Sequence, residues 1–201
     1  MGVFMDFNTV IKKRRSHYNL TSSKSIDRDE IITRLKIALL HAPSAFNAQS
    51  TKIALLLDHH HITLWKKLLD DLRLTQSEKR YQRSKARIEG FIKAYGTILF
   101  FEDREKILSL KEKYPKIEHE IDVWAHQSQG MLQYAVWLSL AEVNVGASLQ
   151  HENKGLSPIV QSMLKVPSSW ELIAQMPFGE VSVSPKEKHF EDVNHRFKVF
   201  D

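Results

Sequence analysis

Apolar residues recur along the chain at two periods, and each period predicts a different secondary structure. Spacings of three and four residues predict helices. The predicted helices run from a cap at Asp6 or Asn8 to about Ser16, from a cap at Asp27 to before Pro43, over 61–72, 77–94, 104–113 and 121–143, and from a cap at Ser157 to about Leu164. Short unbroken apolar runs over 53–57, 97–101 and 170–178 predict buried strands.

The predicted helix over 121–143 is the most apolar segment of the chain. Met131, Leu132, Ala135, Val136, Leu138 and Leu140 cover most of its circumference. A helix that is apolar nearly all round is a central one. Many helices around a few strands predict an α+β fold. No repeat or Gly/Ser linker divides the sequence, so we expect one domain over residues 1–201.

The connecting segments are polar. Residues 19–25 read as a loop, 41–50 as an irregular segment rich in hydrogen-bonding side chains, and 145–151 as a compact strand or turn. The tail over 186–201 is polar and ends in an alternation of apolar and basic residues over 196–200. That alternation predicts a strand that pairs with a sheet edge, on this chain or on another.

Length and composition exclude several classes of protein. The 201 residues contain no cysteine, which rules out disulfides, a thiol nucleophile and iron–sulfur clusters. Any redox chemistry must therefore come from a bound cofactor. No apolar run is long enough to cross a bilayer, and no positively charged stretch precedes a hydrophobic one at the N-terminus. We expect a cytoplasmic protein without a membrane partner.

The net charge of +5 permits an anionic partner without requiring one. Basic residues are spread along the chain, and the densest cluster, 12–15, is short, so nucleic acid is not an expected partner. The dinucleotide-binding, Walker and nucleophile-elbow motifs are absent. The triplet His59-His60-His61 lacks metal-ligand spacing and reads as a polar turn between strand and helix, so no metal site is expected.

Four separate segments carry candidate chemistry: Arg14-Arg15-Ser16, Pro43 to Gln49, Gly146 to His151, and Arg196-Phe197-Lys198. Singly they have ordinary interpretations as a solvated helix end, a self-satisfied loop, tight packing and an edge-protecting pair. Together, in this order, they resemble the nitroreductase family of FMN-dependent oxidoreductases. The similarity extends over nearly the whole chain, includes 96–103 and 174–179, and is strongest to a short branch with yeast proteins of the fatty-acid-repression-mutant type and bacterial relatives.

The resemblance implies a set of FMN-binding residues. They are Arg14, Arg15, Ser16, Pro43, Ser44, Ala45, Phe46, Asn47, Gln49, Ser148, Leu149, Gln150, His151, Arg196 and Lys198. In this assignment the arginines and Lys198 hold the phosphate or flavin edge by charge-assisted contacts. Asn47 and Gln49 match the donors and acceptors of the pyrimidine edge. Small residues at 146–148 allow the main chain to approach N5, and Phe46 covers the ring or lines the substrate pocket.

The resemblance also implies a fold, an activity and a partner. The fold is a small, mainly antiparallel sheet surrounded by helices, in an intertwined homodimer with C-terminal strand exchange. The activity is electron transfer from NADH or NADPH to a nitroaromatic, quinone or similar flat acceptor by a ping-pong mechanism, with no catalytic acid or nucleophile from the chain.

Two departures and two alternatives accompany the resemblance. Tyr18 stands where other branches carry a basic residue, and the Pro-x-Glu-Gly of the best-known bacterial enzymes is missing near His151. A further Lys or Arg from 85–93 is an unaligned candidate for the cofactor site. The alternatives are a non-catalytic flavin- or lipid-responsive regulator on the same scaffold, and a basic nucleic-acid-binding helical domain.

Overall fold

The computed structural model describes residues 5–200. Its α-helices in this range are α1 (Phe7–Lys13), α2 (Arg28–His41), α3 (Asp58–Thr75), α4 (Glu78–Ile92), α5 (Arg104–Lys113), α6 (Glu118–Glu142) and α7 (Asn153–Leu164). Its strands are β1 (Leu20–Thr21), β2 (Thr51–Leu57), β3 (Gly96–Asp103), β4 (Gly146–Ala147) and β5 (Trp170–Val181). The ends of the predicted domain, residues 1–4 and 201, lie outside the described residues.

The strands form one antiparallel sheet in the order β1-β5-β3-β2, with β4 also paired to β5. Strand β3 is central: Gly96 lies opposite Leu57 of β2 and opposite Phe178 of β5. The register between β3 and β5 shifts between Phe100 and Phe101. The predicted α+β fold with a small antiparallel sheet is confirmed.

Helices cover both faces of the sheet, which explains the unbroken apolar run of β3. Ile98 and Phe100 point to the face covered by α2 and α6. Leu99 and Phe101 point to the face covered by α3, α4 and α7. Successive side chains of a strand alternate between faces, so a strand buried on both sides needs apolar residues at every position. All four side chains are fully buried.

Helix α6 is central, as its composition predicts, although one side of it is uncovered in the single chain. Leu132, Val136 and Leu140 are fully buried against the sheet. Met131 and Tyr134 are 41% and 42% exposed. Large apolar side chains left open on a central helix indicate a surface that another molecule can cover.

The N-terminal boundaries differ from the predictions. Asp6 caps α1 by accepting from the backbone N–H of Asn8 and Thr9, but the helix ends at Lys13 rather than Ser16. The chain becomes extended there because Ser16 bridges to Ala147 and leaves the helical path. The predicted loop over 19–25 contains β1, which pairs with the end of β5. A strand of two residues has no periodic signal, so only the sheet reveals it.

Helices α3 and α7 begin earlier than predicted. Helix α3 starts at Asp58, so the three histidines lie in its first turn and the prediction of a polar turn is wrong. The His61 side chain is buried, and its Nδ1 lies 2.8 Å from Thr97 Oγ1. Helix α7 starts at Asn153, and Ser157 is internal rather than a cap. Pro158 lies inside α7, where its ring nitrogen cannot donate to the carbonyl of Lys154.

The C-terminal tail forms no strand within the single chain. Residues 182–200 are irregular apart from a short 3-10 turn at Val193–His195. The prediction that 196–200 pairs with this chain's own sheet is therefore wrong. Pairing with a second chain stays a prediction. Phe197, Val199 and Phe200 are 64%, 68% and 93% exposed.

Candidate functional site

The segment after α1 is fixed in an extended path beside β4. His17 donates its backbone N–H to the carbonyl of Ala147 at 2.9 Å, next to the bridge between Ser16 and Ala147. The Arg14 guanidinium lies over the Trp137 ring, 4.6 Å from its centroid, an arrangement that favours a cation. Arg15 Nη2 donates to the carbonyl of Lys186 at 2.5 Å. The structure thus brings residues 14–16 next to the predicted 146–151 segment.

These arginines have no acidic partner among residues 5–200. Both line a cleft of about 770 Å³ between residues 14–19 and residues 183–189 of the tail. The lining also holds Lys186, Lys188 and one carboxylate, Glu187, so its net charge is positive and suits an anionic group. Guanidinium groups bind phosphates by paired N–H donors.

The 43–49 loop has backbone angles that its sequence does not predict. Phe46, Asn47 and Gln49 have φ angles of 55°, 52° and 50°, in the left-handed region. Such angles cost non-glycine residues free energy, so the surroundings must hold them. Ser44 Oγ accepts the backbone N–H of Gln49 at 3.1 Å. Lys52 Nζ donates to the carbonyl of Gln49 at 2.9 Å.

Phe46 belongs to an aromatic cluster at the outer side of this loop. Its ring stacks on Tyr114 with centroids 4.7 Å apart and planes 9° apart, and meets the edge of Trp124 at 5.8 Å. The Phe46 side chain is 51% exposed. An open cavity of about 430 Å³ beside it is lined by Pro43, Ser44, Ala45, Phe46, Trp124, Gln127, Ser128 and Met131. A partly exposed aromatic wall of this kind suits a flat ligand.

The 148–151 segment is attached to the buried strand β5. Ser148 donates its N–H to the carbonyl of Pro177 at 3.2 Å, and Gln150 donates its N–H to Gln175 at 2.7 Å. Ser148 and Gln150 are buried, whereas His151 is exposed. The backbone N–H groups of Leu149 and His151 donate to no acceptor within residues 5–200. Alternate N–H groups thus face the sheet and away from it.

Gln175 and Asn153 support this segment, and the sequence analysis missed both as site residues. The fully buried Gln175 accepts the N–H of Glu152 at 2.8 Å and donates to Asn153 Oδ1 at 2.6 Å. Asn153 donates to the carbonyl of Ile173 at 2.7 Å. The available signal was a lone amide between Ala174 and Met176 in a predicted strand, because a buried amide needs partners.

The remaining predicted cations are arranged differently. Arg196 and Lys198 lie on the exposed tail, where the N–H of Arg196 donates to Val193, and no described contact joins them to the other segments. Within 85–93, Arg87 forms an ion pair with Glu152, beside His151. The cavity beside Phe46 includes none of the residues 14–16, 148–151 or 196–198. One chain alone therefore assembles residues 14–16 with 147–150, and leaves 43–49 and 196–198 apart.

Comparison with known proteins places this arrangement in a family. A sequence model described as "Nitroreductase family" matches residues 11–180. Nitroreductase FRM2 of Saccharomyces cerevisiae is 26% identical over 199 residues, which span 97% of each chain.

Solved structures share the fold. Nitroreductase CinD from Lactococcus lactis, solved in complex with 4-nitrophenol, has a TM-score of 0.89 and 31% identity, covering 98% of this chain and 100% of that one. A nitroreductase with bound FMN from Desulfitobacterium hafniense has a TM-score of 0.70 at 16% identity, covering 96% and 97%, and shows a common fold. The chain thus belongs to the nitroreductase family, an oxidoreductase family, and the resemblance predicted from its four segments is confirmed.

Proposed function

We propose that the protein is an FMN-dependent oxidoreductase that takes electrons from NADH or NADPH and passes them to a small flat acceptor, such as a nitroaromatic or a quinone. The observation that carries the proposal is the junction of the 14–16 and 147–150 segments. There, arginines without acidic partners lie beside outward-facing backbone N–H groups. The flavin would supply the two-electron chemistry, because no cysteine or metal-ligand motif provides it.

The residues present fit the phosphate of FMN. Arg14 and Arg15 offer guanidinium donors, and Ser16 offers a hydroxyl, on a segment whose position the bridge to Ala147 fixes. A phosphate beside them would receive charge-assisted hydrogen bonds of the stronger kind. Arg196 and Lys198 join this group in our proposal, since the exposed tail carries them without a structural role in the single chain.

The residues present also fit a ring that approaches the main chain. Gly146 leaves the chain close to β5: an added Cβ would collide with Val181 and would lie 3.1 Å from Leu20 Cδ2 and 3.2 Å from His17 Cβ. Beyond it, the N–H groups of Leu149 and His151 face away from the sheet. We assign one of them to hydrogen bonding with the flavin edge.

A second copy of the chain completes the site in this proposal. Asn47 and Gln49 can pair with the pyrimidine edge, but their loop is separate from residues 14–16 in one chain. Exposed apolar residues on α2 and α6, namely Ile37, Leu40, Met131 and Tyr134, provide a surface for such a copy. Strand β2 is the edge strand next to β3, so its open edge can receive the partner's 196–200 segment.

The aromatic cluster around Phe46 would bind the acceptor and the nicotinamide in turn. Stacked rings at 4.7 Å offer a flat apolar surface, and the cavity beside them is open to solvent. Both partners using one face in succession predicts ping-pong kinetics. The chain contributes binding and orientation, and we assign it no catalytic acid or nucleophile.

A visible absorption spectrum, followed by anaerobic addition of NADH and then NADPH, tests the proposal. We expect a yellow dimer whose flavin band bleaches with at least one nucleotide and returns on addition of a nitroaromatic or quinone. A colourless monomer that does not take up added FMN would overturn the proposal. Uptake of FMN without bleaching would retain the cofactor site and replace the enzyme with a flavin-responsive binding protein.

A further inference from the structure

A second cationic cavity adjoins the segment that carries Arg14 and Ser16. This α1–α6 cavity, of about 260 Å³, is lined by Lys13, Arg15, His17, Trp137, Ala141, Asn144, Val145, Gly146 and Val181. It takes residues 13, 15 and 17 and omits Arg14 and Ser16. The cavity shares Arg15 and His17 with the cleft beside residues 183–189, but Lys13, Trp137 and Asn144 line this cavity and not that cleft.

The cavity carries positive charge without a carboxylate in its lining. Lys13 Nζ donates to Asn144 Oδ1, and Arg15 Nη2 donates to the carbonyl of Lys186. Both cations keep further N–H donors for a ligand, since an ammonium has three N–H donors and a guanidinium five. Burial, and then the charges of Arg15 and Arg14, hold the pKa of His17 below its ordinary value. An anion would offset this positive field.

Two ring nitrogens at the cavity are buried without a partner in the described structure: Trp137 Nε1 and His17 Nδ1. An indole N–H is only a donor, so its burial without an acceptor is unfavourable. An oxyanion seated between Trp137 and Lys13 would accept this hydrogen bond and pair with the cation. Ala141, Val145 and Val181 form an apolar part of the lining, which suits a hydrocarbon body rather than water.

We propose that the α1–α6 cavity binds a small organic carboxylate, whose oxygens lie between Lys13 Nζ and Trp137 Nε1 and whose apolar part rests on Ala141, Val145 and Val181. The cationic donors and the unpartnered indole call for an oxyanion. The apolar floor favours a carboxylate with a hydrocarbon body over inorganic phosphate. This site does not depend on the proposed flavin chemistry.

Calorimetric titration of the purified protein, saturated with added FMN, tests the proposal with benzoate as probe. Benzamide is the neutral ligand of matched size, and inorganic phosphate tests a bare anion. We expect one benzoate site per chain, with much weaker binding of the other two. Loss of a charge-assisted hydrogen bond in Lys13→Met should weaken benzoate at least about tenfold. Lys12→Met, an exposed change of the same charge one residue away, should leave it within about twofold.

Trp137→Phe keeps an aromatic ring and removes only the indole N–H, so it tests the site a second time if Lys13→Met does not fold. It should weaken benzoate severalfold. Absence of benzoate binding, equal losses in Lys12→Met and Lys13→Met, or phosphate binding stronger than benzoate would overturn the proposal. So would benzoate that shifts the flavin band and is insensitive to Lys13→Met, because that result places the probe on the flavin. Flavin uptake is read separately in the visible spectrum, so a failure of the proposed function is distinguishable.

Discussion

Gln150 and Gln175 form a reciprocal backbone pair, in which each N–H donates to the carbonyl of the other, at 2.7 and 2.9 Å. The pair joins the candidate flavin segment to the middle of β5. The Gln175 side chain then reaches past the pair to hold the N–H of Glu152 and the Asn153 amide. One strand residue therefore fixes the path of the chain on both sides of His151.

Replacement of the Gln175 side chain should lower the free energy of unfolding. Gln175→Met keeps the length but leaves the Glu152 N–H and Asn153 Oδ1 without partners, and unsatisfied buried groups cost about 1–3 kcal/mol. Urea unfolding should show a loss of that size. The exposed change Gln82→Met on α4 should shift the unfolding free energy by less than about 0.5 kcal/mol. Equal stability of the two variants would show that the Gln175 amide does not support the segment.

The phosphate assignment predicts a ligand-specific defect. Arg14→Met should weaken FMN binding at least about tenfold, because a hydrogen bond to a charged group is lost. Riboflavin, which lacks the phosphate, should lose much less affinity. Fluorescence titration measures both ligands, and Arg80→Met, an exposed arginine change on α4, is the control. Equal losses for FMN and riboflavin would place Arg14 away from the phosphate.

The structure of the 43–49 loop predicts that loss of the Ser44 hydroxyl weakens FMN binding. Ser44→Ala removes the acceptor that holds the Gln49 N–H while Gln49 has a left-handed φ. We expect FMN affinity to fall severalfold, since Asn47 and Gln49 lose their orientation, with a stability loss of about 1 kcal/mol. Ser109→Ala, exposed on α5, should change neither quantity. Unchanged FMN affinity in Ser44→Ala would remove this loop from the cofactor site.

His61 predicts acid sensitivity. Burial lowers its pKa below the ordinary 6.5, so the folded state favours the neutral ring. The unfolded chain therefore binds more protons as pH falls below about 6.5, and stability should fall over that range until the folded ring is also protonated. In His61→Gln the decline in unfolding free energy between pH 7.5 and 5.5 should be smaller. Part of the decline should remain in this variant, because the pKa of His17 is also lowered.

A matched change separates this effect from general histidine titration. His126→Gln, exposed on α6, should retain the pH dependence of the original protein. If His61→Gln retains it too, protonation of His61 does not limit acid stability. Both variants are compared by urea unfolding at each pH.

The local pattern of apolar residues was sufficient to predict the elements with strong periodicity. The run over 97–101 predicted a strand buried on both faces, and the observed β3 has helices on each side. The first helix cap at Asp6 was also predictable, because its hydrogen bonds span only three residues. Strand β1 was not, since its pairing partner lies about 160 residues away along the chain.

The sequence by itself determined the fold class, the family and the identity of the candidate cofactor residues, because periodicity and an ordered set of short segments are written along the chain. Only the tertiary structure showed that residues 14–16 meet 147–150, that Phe46 adopts a left-handed backbone, and that Gln175 supports the site. These features depend on contacts between distant segments. Residue type sets what a side chain can donate or accept, whereas folding sets which partner it meets.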